Sequence, residues 1–368
     1  MNKIVIFGAK SIALGVCKAI RLLYPQYEIL GFMVSSMQGN SDMLLGLPVR
    51  EIAYYVEKHS DKDELQVVIA IPEDLYDEIK KTITKYGFMN YICMSSVDKA
   101  KLMEAYYKKI CRFPSLHNLN YNPKKHAIIQ VYMAQFYKDR VLQNAYHMPD
   151  WIYPLQVGAE LTGVRIANLL DNTGDNISGK NANYCELTAL YWMWKNKLTG
   201  MDKVPYSETG QDSPLYYGLF QYRRILDISG EDLSRVASNH VDVILPFPTI
   251  HEPDISEHHA RYIQESDWEA MLQALKELQP VYADAFSEIF RQEYLYNYNI
   301  IIAKREVLAD YCAWLFPILE RTEQLSAPKG WERTDRYIGY IGENLLTLYF
   351  MYHKKDFYVM HTGEIMLT

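Results

Sequence analysis

The sequence predicts an α/β protein in two units. Strand-like apolar runs alternate with helical patterns over residues 1–96. A basic stretch follows over 97–125 and reads as a linker. A new buried strand then opens a second, larger α/β series over 126–368.

In the first unit, Ile4 to Phe7 is a short buried strand stopped by Gly8. Ile12, Val16, Ala19, Ile20 and Leu23 recur at helical spacing. Ile29 to Val34 is the next strand, Val49 to Lys58 a short helix, and Gln66 to Ile71 a strand ended by Pro72. Tyr76 to Tyr86 is helical, and Tyr91 to Met94 is the last strand. This alternation favours a parallel sheet covered by helices, a Rossmann-like arrangement. The first turn lacks the dinucleotide fingerprint, because Lys10 and Ala13 stand where glycines are needed. The second strand ends in Ser35-Ser36, without the acid that an NAD ribose wants. An NAD(P) oxidoreductase is therefore a poor reading. Gly8 and Gly15, which flank the turn, are candidates for holding another nucleotide or phosphate at the helix N-terminus; plain packing is the competing role.

The stretch 97–125 sets Lys99, Lys101, Lys108, Lys109, Arg112, Lys124 and Lys125 against one acid, Glu104. It reads as a solvated helix and loop, or as a surface for weak peripheral docking on an anionic membrane face. Phe113-Pro114 and Asn122-Pro123 are its turn signals.

In the second unit, Ala127 to Ala134, Tyr216 to Tyr222, Val241 to Pro246 and Tyr298 to Ala303 are strands. Helical patterns occupy Tyr184 to Lys195, Trp268 to Leu278, Val281 to Gln292, Arg305 to Glu323 and Tyr337 to Tyr352. There is no internal repeat or low-complexity tract.

Composition excludes several classes. With 38 basic and 45 acidic residues the net charge is −7, which argues against a nucleic-acid binder. No stretch approaches the ~18 apolar residues of a membrane span. The opening residues read as a strand and not as a signal peptide, since Lys10 interrupts the apolar run. The 5 cysteines are scattered without a CxxC, so a cytoplasmic location is expected, with neither a disulfide framework nor a zinc ribbon. The 31 tyrosines suit sugar or base recognition but serve cores equally well.

The densest polar block runs from Asp171 to Glu186. Asp171, Asp175, Asn176, Asn181, Asn183, Tyr184 and Glu186 are its candidates for binding sugar hydroxyls or a nucleotide; a long capped loop is the plain alternative. Tyr222-Arg223-Arg224 ends a strand, where a guanidinium pair suits a diphosphate, unless carboxylates already bridge it. His251, His258 and His259 match no strong metal-ligand spacing and read as a polar loop. Glu343 enters an apolar helix after Gly339 and Gly342, which would leave room for substrate beside the backbone. It is either a partly desolvated base or a helix-end acid, and Asp254 in the histidine loop is its competitor.

The runs Leu155 to Ala159, Asp171 to Ser178, Lys180 to Trp192, Tyr222 to Arg224, Tyr311 to Phe316 and Gly339 to Leu346, with the His258-His259 region, resemble domain-of-unknown-function family 4422 over about residues 126–355. The resemblance implies a GT-A-like α/β fold and a glycosyltransferase of bacterial capsule or O-antigen synthesis. Its donor would be a nucleoside-diphosphate sugar, UDP-linked and galactofuranose among the options. Its acceptor would be a glycan or a lipid-linked glycan. His258 and His259 enter the substrate-binding set on this ground. The sequence departs from the family in two places. Ala134-Gln135-Phe136-Tyr137 stands where the family has Ala-Thr-His-Lys, and Gln221 precedes Tyr222 where the family has His. The second unit has no Asp-x-Asp, so Arg223 and Arg224 are expected to neutralise the leaving diphosphate. No cofactor is then required, and a divalent metal stays open. The alternative is a non-catalytic sugar-nucleotide or glycan-binding protein that regulates or scaffolds a polysaccharide assembly complex.

Overall fold

The computed structural model describes residues 2–142, 144, 146–199, 215–329 and 332–368. Its first sheet contains β1 (Asn2–Phe7), β2 (Tyr27–Val34), β3 (Met43–Leu44), β4 (Leu47–Glu51), β5 (Leu65–Ile69) and β6 (Tyr91–Cys93). The order is β3-β4-β2-β1-β5-β6, parallel except for the β3–β4 hairpin. Helices α1 (Ser11–Leu23), α2 (Ile52–Lys58), α3 (Tyr76–Lys85) and α4 (Ser96–Lys109) cover it. Alternation along β1 assigns the faces. Ile4 and Ile6 pack with Val16 of α1 and Met103 of α4, while Val5 and Phe7 pack with Tyr55 of α2 and Ile83 of α3.

Two expectations change here. Val49 to Glu51 is strand and not helix, because Val49 pairs beside Phe32 in a fully buried position. The basic stretch is no free linker over its first half. Residues 96–109 form α4, which buries Leu102, Met103, Tyr106 and Tyr107 in the first core.

The second sheet contains β7 (Ile128–Gln135), β8 (Ile152–Gln156), β9 (Leu169–Leu170), β10 (Leu215–Gln221), β11 (Arg224–Leu226) and β12 (Val243–Pro246). A separate hairpin pairs β13 (Thr249–Ile250) with β14 (Tyr294–Leu295). The large sheet resumes with β15 (Ile301–Lys304), β16 (Val359–Thr362) and β17 (Glu364–Met366). Its main order is β16-β12-β15-β10-β7-β8-β9, with β11 bridging β10 to β17. β7, β8, β9 and β10 run parallel, and β15 is antiparallel to β10 and β12. The helices are α5 (Asn181–Tyr184), α6 (Leu187–Met193), α7 (Gly230–Asn239), α8 (Glu265–Leu278), α9 (Pro280–Phe290), α10 (Arg305–Leu325) and α11 (Tyr337–Tyr352). The large core joins β7, β8, β10, β12 and β15 to α6, α8, α10 and α11.

The helix expected from Tyr184 to Lys195 is broken. Cys185 adopts φ 52°, ψ −130°, which ends α5 and restarts the chain as α6. The strand expected from Tyr298 starts only at Ile301, because Tyr298 and Asn299 both have positive φ. Both irregularities border the cleft.

The two sheets are in contact. Tyr107 donates to the carbonyl of Pro248 at 2.7 Å and stacks on Phe247. The backbone N–H of Leu45 donates to Glu252 at 2.6 Å. The backbone N–H of Met366 donates to Ser96 Oγ at 3.0 Å, so the end of the chain seats on α4.

Candidate active site

β7 and β10 lie side by side in parallel, with Ala134 opposite Gln221. Ligands in open α/β sheets bind beyond the carboxyl ends of such strands. Two adjoining cavities of about 290 Å³ and 420 Å³ lie there. They share Asp139, Cys185, Glu186, Gln221, Tyr222 and Arg336. The smaller is lined by Phe136 and Val157, and the larger by Glu343, Tyr262 and Tyr340.

Glu186 follows the break at Cys185 and is 8% exposed. Its carboxylate accepts a hydrogen bond from Asn299 Nδ2 at 2.8 Å, a contact made possible by the left-handed turn at Tyr298-Asn299. Burial raises its pKa, and the Asn299 bond opposes the rise. Glu343 lies in the second turn of α11 and not at the helix start. Burial pushes its carboxyl up to about 8, and the negative charge of Glu186 adds to the push. A backbone bond from Tyr298 and the charges of Arg224 and Arg336 hold it back. Of the glycines before it, Gly339 lines the larger cavity, whereas Gly342 admits protein and not substrate. A Cβ at Gly342 would lie 2.6 Å from Leu187, and one at Gly339 would lie 3.2 Å from Cys185 Sγ.

Arg336, at φ 67°, precedes α11 and spans both cavities. Its Nε donates to Cys185 Sγ at 3.2 Å, and no carboxylate pairs with it among the described residues. Burial pushes the Cys185 thiol up to about 12, so the sulfur is a neutral partner, and the charge of Arg336 is balanced only at longer range, by Glu186, Glu343 and Asp139.

The arginines expected to hold a diphosphate are already engaged. Arg223 pairs with Asp74 of the first unit at 3.1 Å. Arg224 pairs with Glu364 at 3.2 Å and lies 4.0 Å over the Tyr298 ring. Both touch the larger cavity, as does Tyr222. Gln221 donates to the carbonyl of Tyr298 at 3.1 Å.

The polar block is mostly scaffold. Asp171 is wholly buried. It accepts from the backbone N–H groups of Gly158 and Ala159 at 2.9 and 3.1 Å, from Thr188 Oγ1 at 2.7 Å and from Ser178 Oγ. Four donors leave it no capacity for substrate, so that expectation is corrected. Asn176 is spent on its own turn. Asp175 is exposed and accepts from Tyr191 at 3.2 Å, away from both cavities. Asn183 bonds the 333–336 segment, and Tyr184 donates to Glu323 at 3.2 Å. Only Asn181 and Glu186 of the block's candidates line a cavity. Asn181 donates to the carbonyl of Cys185 at 2.8 Å and holds the break.

The histidines divide. His259 stacks on Trp268 with centroids 4.0 Å apart and bonds Glu265 at 3.1 Å, so it belongs to packing and not to the site. His258 and His251 line the larger cavity with ring centroids 4.2 Å apart. Asp254 accepts from Ser256 N at 2.9 Å and Ser256 Oγ at 2.6 Å, and it lines neither cavity. Gly8 and Gly15 are packing positions. A Cβ at Gly8 would lie 2.7 Å from the Ala70 carbonyl, and Gly15 faces Met103. Sequence reasoning assigned no role to Asp139, Arg261, Arg336 or Lys10. No local sequence signal marks Arg336, and the charge of Lys10 in a glycine's place is a faint one at most. Among the described residues, no group of three or more His, Cys, Asp or Glu stands together as metal ligands.

The fold is similar to that of a solved glycosyltransferase. The apo structure of the bifunctional glycosyltransferase WbbM matches with a TM-score of 0.53 and 24% identity, over 66% of this chain and 45% of that one. The present chain thus spans under half of that structure's length, and the likeness is one of fold. The family model described as a domain of unknown function, DUF4422, matches residues 130–355, and the chain belongs to that family. No curated protein matches it.

Proposed function

We propose that the protein is a glycosyltransferase that moves a sugar from a nucleoside diphosphate, UDP first among the candidates, to a hydroxyl of a growing capsular or O-antigen polysaccharide. The observation that carries this reading is Glu343, a carboxyl raised to about 8 that lines the cleft beyond β7 and β10 together with Arg336, which no carboxylate pairs directly among the described residues. In this reading the nucleoside lies in the smaller cavity against Phe136 and Val157, and the diphosphate crosses to Arg336. Tyr262 and Tyr340, stacked 4.9 Å apart at the larger cavity, form a ledge for the acceptor sugar.

Glu343 in its ionised form takes the proton of the acceptor hydroxyl. The acceptor oxygen bonds the anomeric carbon as the bond from that carbon to the diphosphate oxygen breaks. The diphosphate leaves with the electron pair, facing Arg336. Glu186, bonded to Asn299, keeps a second carboxylate near the developing positive charge on the sugar ring. No metal is assigned to this scheme, and Arg336 supplies the neutralising charge that Arg223 and Arg224 were expected to give.

Among the described residues, no helix is long and apolar enough to cross a membrane. The exposed Lys101, Lys108 and Lys109 of α4 are the proposed contact with an anionic membrane surface.

The test is a thermal-shift and calorimetric screen of UDP, GDP, CDP, ADP and dTDP, followed by donor hydrolysis and transfer assays with the matching sugars. Stabilisation by one nucleoside diphosphate together with turnover supports the proposal. Binding without turnover moves the protein to the non-catalytic alternative. Binding of NAD(P)H alone sinks both.

A further inference from the structure

The larger cavity is closed on one side by the first unit. Lys10 and Ser11, at the turn after β1, line it together with Arg261, His251 and His258 of the second unit. Lys10 Nζ donates to the carbonyl of Gly39, and neither Lys10 nor Arg261 has a carboxylate partner among the described residues. Their proximity is unfavourable in the absence of an anion. Burial chiefly, with the charge of Arg261 adding to it, disfavours protonation of Lys10, His251 and His258. Nδ1 of His258 is buried with no hydrogen-bond partner among the described residues. An unpaired buried ring nitrogen is destabilising unless a partner bonds it. The wall of this cavity thus gathers an ammonium, a guanidinium and an imidazole ring from the two units. Charge-assisted donors of this kind match phosphate oxygens.

We propose that Lys10, Arg261 and His258 form a phosphate subsite, separate from the position of the donor diphosphate at Arg336, and that it holds a phosphate group carried by the acceptor or a free phosphate ion. The proposal rests on the glycosyltransferase reading only for the acceptor's role; the phosphate site itself stands without it. It gives the first unit a function in the cavity that needs no nucleotide of its own. An acceptor anchored here by its phosphate would present its sugar toward Glu343 and the Tyr262–Tyr340 ledge.

The experiment titrates inorganic phosphate and galactose 1-phosphate into the full-length protein by calorimetry, with and without saturating UDP. The His258 ring is followed by NMR in parallel. Both phosphates are expected to bind with UDP present and to shift the His258 ring signals. The K10M/R261M double variant should lose at least tenfold in phosphate affinity while its UDP affinity stays within threefold of wild type. Galactose 1-phosphate binding tighter than inorganic phosphate assigns the site to a phosphorylated acceptor, and equal binding assigns it to free phosphate. Phosphate that UDP displaces, or that leaves the His258 signals unmoved, overturns the proposal, and so does undiminished phosphate affinity in a folded double variant. If the double variant does not fold, the UDP competition and the His258 signals in the wild-type protein decide alone. If no nucleoside diphosphate binds at all, the glycosyltransferase reading fails while the phosphate arms still judge the subsite.

Discussion

Glu343 and Glu186 line one cavity, yet only Glu186 accepts a side-chain amide hydrogen bond, from Asn299 at 2.8 Å. Burial lifts both carboxyls, and the charge on Glu186 lifts Glu343 further, to about 8. Two like groups in one cavity thus sit in different environments, and Glu343 exchanges its proton near neutral pH.

Replacing the exchanging partner separates a base from a structural acid. Glu343→Gln should lower turnover by about 10²- to 10⁴-fold and leave nucleotide affinity nearly unchanged. Steady-state kinetics and calorimetry on the same preparation check it. In the wild-type protein, activity should rise with pH toward about 8, as Glu343 ionises. Near-normal turnover in Glu343→Gln would remove this residue from the mechanism.

The two arginines should differ. Arg336→Ala should weaken nucleoside diphosphate binding by roughly 10²-fold, because it removes a cation common to both cavities that no carboxylate pairs directly among the described residues. Arg223→Ala should change it less than about fivefold, since Arg223 is already paired with Asp74 at 3.1 Å and such a pair is worth little net. A larger loss from Arg223→Ala than from Arg336→Ala would return the diphosphate to the strand-end pair.

Stability should show opposite pH trends from two sets of groups. His258 is lowered to about 4 and His251 to about 2, mainly by burial. The unfolded chain therefore binds protons that the folded chain refuses, and stability falls as pH drops below about 6.5 toward 4. Glu343 acts the other way. The folded chain holds a proton that the unfolded chain has released, so stability falls as pH rises from about 4.5 to 8. Melting temperatures across pH 4–8 should fall more steeply toward acid in wild type than in His258→Gln. Toward alkaline pH they should fall more steeply in wild type than in Glu343→Gln. Parallel curves would refute the assignment.

Asp171→Asn should destabilise the protein by about 2–4 kcal/mol, because a neutral amide cannot accept from two backbone and two hydroxyl donors as the carboxylate does. Chemical denaturation measures it. A loss of nucleotide affinity without any loss of stability would restore Asp171 to the substrate-binding set.

Transfer should persist in EDTA, since Arg336 is placed to neutralise the leaving group. Activity that EDTA abolishes and manganese restores would assign that work to a metal.

Local periodicity by itself determined much of this protein. The strands at Ile4–Phe7 and Ile128–Ala134 and the helix Tyr337–Tyr352 were legible because the spacing of apolar residues records which side of an element is buried. Glu343 was legible because a carboxylate within an apolar helix must be desolvated by its neighbours. The free cations were not legible, because pairing is a long-range event. Arg223 is neutralised by Asp74, 149 residues away, and the Asp171 carboxylate is consumed by donors that folding brings around it. The positive φ at Cys185, Tyr298 and Arg336 carries no glycine to announce it. Only tertiary packing enforces those turns, and they bring Glu186, Asn299 and Arg336 to one cleft. Likewise, only the docking of two sheets places Lys10 beside Arg261, since a cavity's charge is the sum of residues that share no local pattern.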